Sequence, residues 1–447
     1  MKLAKFGGSS LASGEQIRKV FEIVKSDPLR KIVVVSAPGK RFESDIKVTD
    51  LLDAYYQDYK NKKNLVPIQT TLLDRFEEIC DELELSELKQ FLSEKVISLA
   101  LLNLHNRFVY DKFLSTGEEC SALIVSSYFK KNGLNAKFLS PKDAGILVSS
   151  DPCEAKLLPI AYNKIAGLVK YPEILIIPGF YGATLNGEVC TFSRGGSDIT
   201  GAILAAGVKA EMYENFTDVD GIYSVNPNVV ENPVIIEEVT YREMRELSFA
   251  GFSVLHEEAL IPAARAGVPM LLKNTNHPEL PGTQIVPNWT IDMPVVGIAS
   301  SRGYVIIKIT KYMLYRDISF GRRLFEILEK LGIRFEAITT GIDDMSILVK
   351  DKYLSAPIEE ALSDDLKEIL QVDDIVIVKN LAVVTAVSEE IRQQTHITGR
   401  ATLALARKNI KIETLMQGAS EVSLLFIVRE EVENETVRSL YEEFFED

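Results

Sequence analysis

The chain opens on a short apolar stretch, Leu3 to Phe6, that runs into Gly7-Gly8-Ser9-Ser10. A segment with helical spacing follows around Gly14 to Ser26, and then the unbroken apolar run Ile32-Val33-Val34-Val35 ending at Ser36. Continuous β-branched runs of this kind mark strands buried on both faces, as in parallel sheets. Ile174 to Gly179 and Met270 to Leu272 have the same character. Strands alternating with helices predict a three-layer α/β domain with a mostly parallel central sheet. Between about Asp50 and Tyr128, Leu, Glu and Lys recur at helical spacing, which predicts a helical subregion there.

The segment from Asn276 to Pro294 carries four prolines and marks a domain boundary. An internal repeat lies beyond it: Ile333, Gly341 and Ser346 recur 77 residues later as Ile410, Gly418 and Ser423. Each copy reads helix, turn, strand, short turn, strand. The first copy has a leading strand, Tyr304 to Ile309, and a closing strand, Val372 to Val378, giving βαββαβ. The second begins at Leu381 to Val387 and ends on the helix Glu431 to Phe445, one strand short. The unclaimed run Val295 to Ala299 is expected to supply that strand, so that the two ferredoxin-like modules interleave. The expected domains are therefore 1–292 and 293–447. Within the latter, the first module spans about 304–379, and the second about 380–447 completed by 295–300.

Composition narrows the partners. At 447 residues, 46% hydrophobic and 26% charged, the chain has the make-up of an ordinary globular protein of two or three domains. A formal net charge of -14 argues against duplex nucleic acid or an anionic membrane as partner. It leaves room for a nucleotide, which needs only a local nest of N–H groups and a few cations. The four cysteines (Cys80, Cys120, Cys153, Cys190) lie far apart, and the four histidines are equally dispersed. Neither pattern supports a disulfide framework or a metal site, and the thiols fit a reducing compartment. MKLAKFGGSS lacks the apolar core of a signal peptide, and no apolar run approaches the ~18 residues of a membrane span. A cytoplasmic location is expected.

Four clusters carry candidate chemistry. Lys5-Phe6-Gly7-Gly8-Ser9 could bring backbone and a cation to a phosphate, or be a plain strand-to-helix turn. Arg194-Gly195-Gly196-Ser197-Asp198 before a helix at Ile199 to Ala206, preceded by Gly179-Phe180-Tyr181-Gly182, suits an anionic substrate at a helix N-terminus. Its bland reading is a Ser197 or Asp198 cap with Arg194 in solvent. Phe216-Thr217-Asp218-Val219-Asp220-Gly221 follows a strand, where parallel sheets hold ligands, yet alone it reads as an Asx/Gly turn. In Ser115-Thr116-Gly117-Glu118-Glu119, Glu118 could take an amino group or be a solvated acid on a capped helix. One chemistry unites them. A carboxylate attacking a phosphoryl group is already an anion and needs no general base, only charge screening and alignment.

The residues at this point resemble those of the aspartate kinase family, over essentially the whole chain. KFGGSS, VVSAPGK, STGE, GFYGAT…TFSRGGSD, FTDVDGIY and VLH occur in the family's order, and GIDDMSIL and QGASEVSLLFIV resemble tandem ACT domains. The resemblance implies an amino-acid kinase fold followed by ACT modules. It implies ATP-dependent phosphorylation of the L-aspartate side-chain carboxylate, the first step toward lysine, threonine and methionine. By resemblance, Lys5, Gly7, Gly8 and Ser9 meet the ATP phosphates, and Asp198 orients Lys5. Thr49 and Glu118 contact aspartate, Glu118 through its α-amino group. Arg194 clamps its α-carboxylate, with Phe180 and Ser197 nearby. Gly195, Gly196, Thr217, Asp218, Tyr223, Ser253 and Val254 border the nucleotide, and Mg²⁺ rides on the phosphates rather than on a protein metal site.

Three departures stand out: Ser253 where the family commonly has lysine, Asn228 for arginine, and Phe216 for tryptophan. The first two remove cations and imply a nucleotide held differently. Lysine or threonine is expected as effector near Arg316, Asp317, Ser319 and Phe320, and near Gly341, Asp343, Asp344 and Ser346. A homodimer or tetramer through the ACT modules is expected, and a homoserine dehydrogenase module is not. A glutamate-directed kinase, or a regulatory subunit of weak activity, stays open as an alternative.

Overall fold

The structure, a computed structural model, describes the chain except Arg194, Ser253, Val254, His256, residues 289–292, Asp447 and the side chain of Glu257. Two compact units emerge: Met1–Ile222 with Ile235–Ser248 and Ser253–Ile291, and Tyr223–Val234 with Phe249–Phe252 and Asp292–Asp447. The division is not a single cut, because two short segments from the first 292 residues join the second unit.

The first unit is built on β1 (Lys2–Phe6), β2 (Arg30–Val35), β3 (Ala136–Phe138), β4 (Ile174–Pro178), β5 (Met212–Thr217), β6 (Glu238–Thr240), β7 (Met270–Asn274) and β8 (Thr283–Val286). They form one sheet in the order β6-β8-β7-β5-β1-β2-β4-β3. All neighbours are parallel except β7 and β8. The helices that matter to the site are α1 (Gly14–Ser26), α2 (Val48–Lys60), α3 (Val66–Glu82), α4 (Ser86–Ser98), α5 (Val109–Lys131), α6 (Gly196–Val208) and α7 (Glu257–Ala266).

Period-two alternation divides β1 between the two sheet faces. Ala4 and Phe6 join a core with Ile17, Val20 and Val24 of α1 and with residues of α2, α3 and α5. Lys5 then points to the opposite face, where α6 packs. Helix α1 begins where the Ser13 hydroxyl accepts the Gln16 N–H, 3.3 Å, and it buries one face of a 3.6-residue period. Helix α6 begins differently. Gly195 is its N-cap in the left-handed region, φ 75°, and no side chain caps the end. Ser197 and Asp198 therefore lie in the first turn with their side chains free for other partners.

The second unit holds β9 (Gly297–Thr310), α8 (Phe320–Lys330), β10 (Phe335–Thr340), β11 (Asp344–Lys350), α9 (Ala356–Leu370), β12 (Asp374–Val387), α10 (His396–Arg407), β13 (Thr414–Gln417), β14 (Ser423–Arg429) and α11 (Glu433–Phe445). One antiparallel sheet of six strands runs β10-β11-β9-β12-β14-β13. Within β9, Gly297–Ser301 pairs with Val383–Val387 alone, whereas Tyr304–Thr310 lies between Asp374–Leu381 and β11. Leu381–Val387 in turn pairs with β14. The strands read separately from the sequence, 295–299 with 304–309 and 372–378 with 381–387, are thus fused into two long ones. Gly303 (φ 79°) and Asn380 (φ 60°) mark the irregular register where one module hands over to the next. Helices α8 and α9 cover the first module's core, and α10 and α11 the second's.

Candidate active site

The carboxyl ends of β1, β2, β4 and β5 converge, and parallel sheets open their binding crevices at such ends. Here they surround a cavity of about 550 Å³. Its floor is Lys5 with Gly7, Gly8 and Ser9 after β1; Gly179-Phe180 follow β4, and Thr217 and Asp218 end β5. Gly195, Gly196, Ser197 and Asp198 arrive from the start of α6, Thr49 from α2 and Glu118 from α5.

Backbone closeness explains the glycines. A Cβ on Gly8 would stand 2.9 Å from the Ala37 carbonyl oxygen, and one on Gly39 2.6 Å from the Gly8 carbonyl carbon. A Cβ on Gly179 would strike Ser197, and one on Gly196 would strike Phe180. Four main-chain segments therefore approach the cavity at distances only glycine permits. Phe180 itself is left-handed, φ 74°, and its N–H donates to the Thr200 hydroxyl, 3.0 Å.

Lys5, 6% exposed, places its Nζ 2.6 Å from Asp198 Oδ1 and 3.2 Å from Asn215 Oδ1. Asn215 Nδ2 donates to Asp198 Oδ1, 2.9 Å, which closes a triangle of three side chains. Glu118 is 3% exposed in the middle of α5, neither a cap residue nor solvated. Burial drives its carboxyl up to about 8, against the pull of the Ala37 N–H. Its Oε2 is buried without a hydrogen-bond partner. A buried carboxyl with a free oxygen at a cavity wall is the acceptor an ammonium group requires.

The cavity thus gathers Lys5, Gly7, Gly8, Ser9, Thr49, Glu118, Phe180, Gly195, Gly196, Ser197, Asp198, Thr217 and Asp218. Tyr223 is not in its lining and falls in the second unit. Arg194, Ser253 and Val254 lie outside the described residues. Asn228, exposed, closes an Asx turn with Asn226, and Phe216 stacks on Phe6, centroids 4.8 Å apart. Sequence reasoning missed the β2–α2 loop as lining (Ser36, Ala37, Pro38, Gly39, Lys40 and Lys47) and missed Asn215. One signal was available: a glycine just past a buried parallel strand. Among the described residues no group of three or more His, Cys, Asp or Glu side chains is placed to hold a metal ion.

In the second unit the expected effector residues meet at one end of the first module. The Tyr315 N–H bonds to the Ile342 carbonyl, 3.2 Å, and the Met313 N–H to Asp343 Oδ1, 2.6 Å, joining the Leu314–Arg316 turn to the Gly341–Asp344 turn. Asp317 bridges Lys311, 2.9 Å, and Arg323, 2.6 Å, and Ser319 donates to it. The Lys311 bond foremost holds its carboxyl down at about 2. Asp344 accepts the Thr310 hydroxyl, Arg316 donates to the Tyr315 hydroxyl, and Ser346 sits on β11. Phe320 is buried in the module's core, where it packs with Leu324 and Ile347.

Residues 1–274 match the amino acid kinase family and residues 384–444 the ACT domain. Fold and cavity define an amino acid kinase followed by ACT regulatory modules. Aspartokinase 3 of Bacillus subtilis (strain 168) is 46% identical over 448 residues, spanning 100% of this chain and 99% of that protein. The crystal structure of Clostridium acetobutylicum aspartate kinase matches with a TM-score of 0.88 at 35% identity, over 99% of this chain and 100% of that one. The chain belongs to the aspartokinase family. E. coli aspartokinase III in complex with aspartate and ADP shares the fold, with a TM-score of 0.75 at 23% identity over 100% of both chains.

Proposed function

We propose that this enzyme transfers the γ-phosphoryl group of ATP to the side-chain carboxylate of L-aspartate, giving 4-phospho-L-aspartate and ADP. The observation that carries the reading is the pairing, in one cavity, of a phosphate-type glycine floor holding Lys5 with the buried, partly unpartnered carboxyl of Glu118. One end suits a phosphoryl group and the other an ammonium.

In the reaction an aspartate carboxylate oxygen forms a bond to the γ-phosphorus while the bond to the β-bridging oxygen breaks. No proton changes hands, so the residues need only align two anions and spread their charge. Lys5, fixed by Asp198 and Asn215, faces the transferring group. Gly7, Gly8, Ser9, Gly195 and Gly196 let backbone N–H groups reach the phosphates. Glu118 takes the α-ammonium, Arg194 clamps the α-carboxylate, and Thr49, Phe180 and Ser197 fix the side chain. Thr217, Asp218, Ser253 and Val254 border the nucleotide. Mg²⁺ would enter with ATP and neutralise phosphate charge, held through the phosphates and water rather than by a protein cage.

No helix among the described residues is long and apolar enough to cross a membrane; a cytoplasmic location is proposed from the likeness to biosynthetic aspartokinases. Lysine or threonine would bind at the Arg316–Ser319 and Gly341–Ser346 turns, and the ACT modules would join two chains or more. The test is ADP release with Mg-ATP and aspartate, set against glutamate, each with and without lysine and threonine. Aspartate-dependent turnover, suppressed by one of the two effectors, is the expected result. Lysine binding without turnover on either acid would instead favour a regulatory subunit.

A further inference from the structure

The β2–α2 loop lies against the glycine floor of the cavity, and its neck is closed. The Gly39 N–H donates to the Gly8 carbonyl, 2.7 Å, and the Val48 N–H to the Pro38 carbonyl, 3.1 Å. Lys40 and Lys47 flank that neck, one on each side, and both line the cavity. Lys40 Nζ rests on the loop's own Glu43 carbonyl, 3.0 Å, a weak neutral partner. The Lys47 ammonium has no hydrogen bond or ion pair among the described residues.

The loop is exposed, yet it is held by buried charge. Asp45 accepts the Arg41 N–H and side chain and the Arg75 Nη1, 2.9 Å, while Arg75 Nη2 donates to the Gly39 carbonyl, 2.7 Å. The Arg75 and Asp45 side chains are 4% and 9% exposed. A buried ion pair adds little net stability because desolvation offsets attraction, so its effect is mainly to fix one shape. That shape sets two ammonium groups at the cavity mouth.

Charge in the cavity makes them matter. Its described acids are Glu118, Asp198 and Asp218, and Lys5 is already paired to Asp198. A reaction that brings two anions together there needs further cations. Resting on the kinase reading above, we propose that Lys40 and Lys47 clamp the terminal phosphoryl group of ATP during transfer, with the Arg75–Asp45 pair as the positioning element.

The test uses the full-length enzyme carrying Lys40→Ala, Lys47→Ala, both together, Lys47→Arg, or Asp45→Asn. ATP and ADP affinities are measured by calorimetry without aspartate, and kcat and KM for both substrates by ADP release. Each alanine variant should lower kcat/KM for ATP by about 10- to 100-fold, as loss of one charge-stabilising donor does, and the double variant further. The preference for ATP over ADP should shrink in the same order while KM for aspartate moves less than about threefold. Lys47→Arg should retain most activity. Asp45→Asn removes no cation, yet it should reproduce part of the lost ATP-over-ADP preference. An unchanged double variant, or a loss confined to the aspartate KM, overturns the clamp. Absence of aspartate-dependent turnover in the unsubstituted enzyme overturns the kinase reading instead, and the ATP-to-ADP affinity ratio then still decides the lysines.

Discussion

Lys5 and Asp198 come from chain positions 193 residues apart, and their side chains meet at 2.6 Å with Asn215 hydrogen-bonded to both. Strand register makes this possible: Lys5 lies directly beside Asn215 in the parallel pair of β1 and β5. The ammonium is thus held from two directions before any substrate arrives, which is the preorganisation that charge-stabilising catalysis depends on.

Asp198→Asn should therefore lower kcat about 100-fold with a smaller change in KM, since it frees the Lys5 ammonium from the position the carboxylate fixes. Asn215→Leu should cost about tenfold by the same route. Steady-state kinetics on both variants check the order. Equal losses, or losses only in KM for aspartate, would contradict it.

The Glu118 carboxyl, raised by burial from 4.5 to about 8, binds a proton more tightly in the folded chain than in the unfolded one. Its contribution to stability is present below 4.5 and fades as pH climbs toward 8. An arriving ammonium reverses the preference and favours the carboxylate. Aspartate binding between pH 6 and 7.5 should then release a proton from this group, seen as a buffer-dependent heat in calorimetry. Glu118→Gln should abolish that component and weaken aspartate binding.

Gly39→Ala places a Cβ where backbone of Gly8 and Ser9 already stands. The glycine floor and the β2–α2 loop must part to accept it. The expected result is a rise of about tenfold or more in KM for ATP, with a stability loss of about 1–3 kcal/mol typical of overpacking. Thermal unfolding beside nucleotide titration separates the two effects.

Asp317, held ionised by Lys311 and Arg323, anchors the turn proposed to receive the effector. Asp317→Asn should weaken inhibition by lysine or threonine about tenfold, read as the ratio of rates with and without effector. An unaltered inhibition curve would move the effector site elsewhere.

Much of this was legible in the residues. The apolar runs Ile32–Val35 and Ile174–Ile177 could only be buried parallel strands, and the repeat at 77 residues announced paired modules. Glycine clusters pointed to the cavity because few residues tolerate such close approach. What stayed hidden depended on long-range register. Nothing local says that Asn215 will lie beside Lys5, or that the Gly39 loop will fold onto Gly8. Glu118 was ambiguous for a related reason: whether an acid on a helix meets water or a cavity wall depends on the face other elements cover. Phe320 is placed near the effector by the resemblance to ACT domains, yet helix phase puts its side chain in the core.

The fused strands also impose an order on biosynthesis. Gly297–Ser301 leaves the ribosome first but has its partner, Val383–Val387, more than eighty residues downstream, and the last helix of the same module ends at Phe445. The first module can close its own four strands as soon as β12 emerges. In the second, Gly297–Ser301 can pair once β12 is present, but the module is covered only when the helix Glu433–Phe445 has followed. A truncation that trims only the C-terminal helix would leave that strand paired but strip Val437, Leu440 and Tyr441 from the core they share with Ile298.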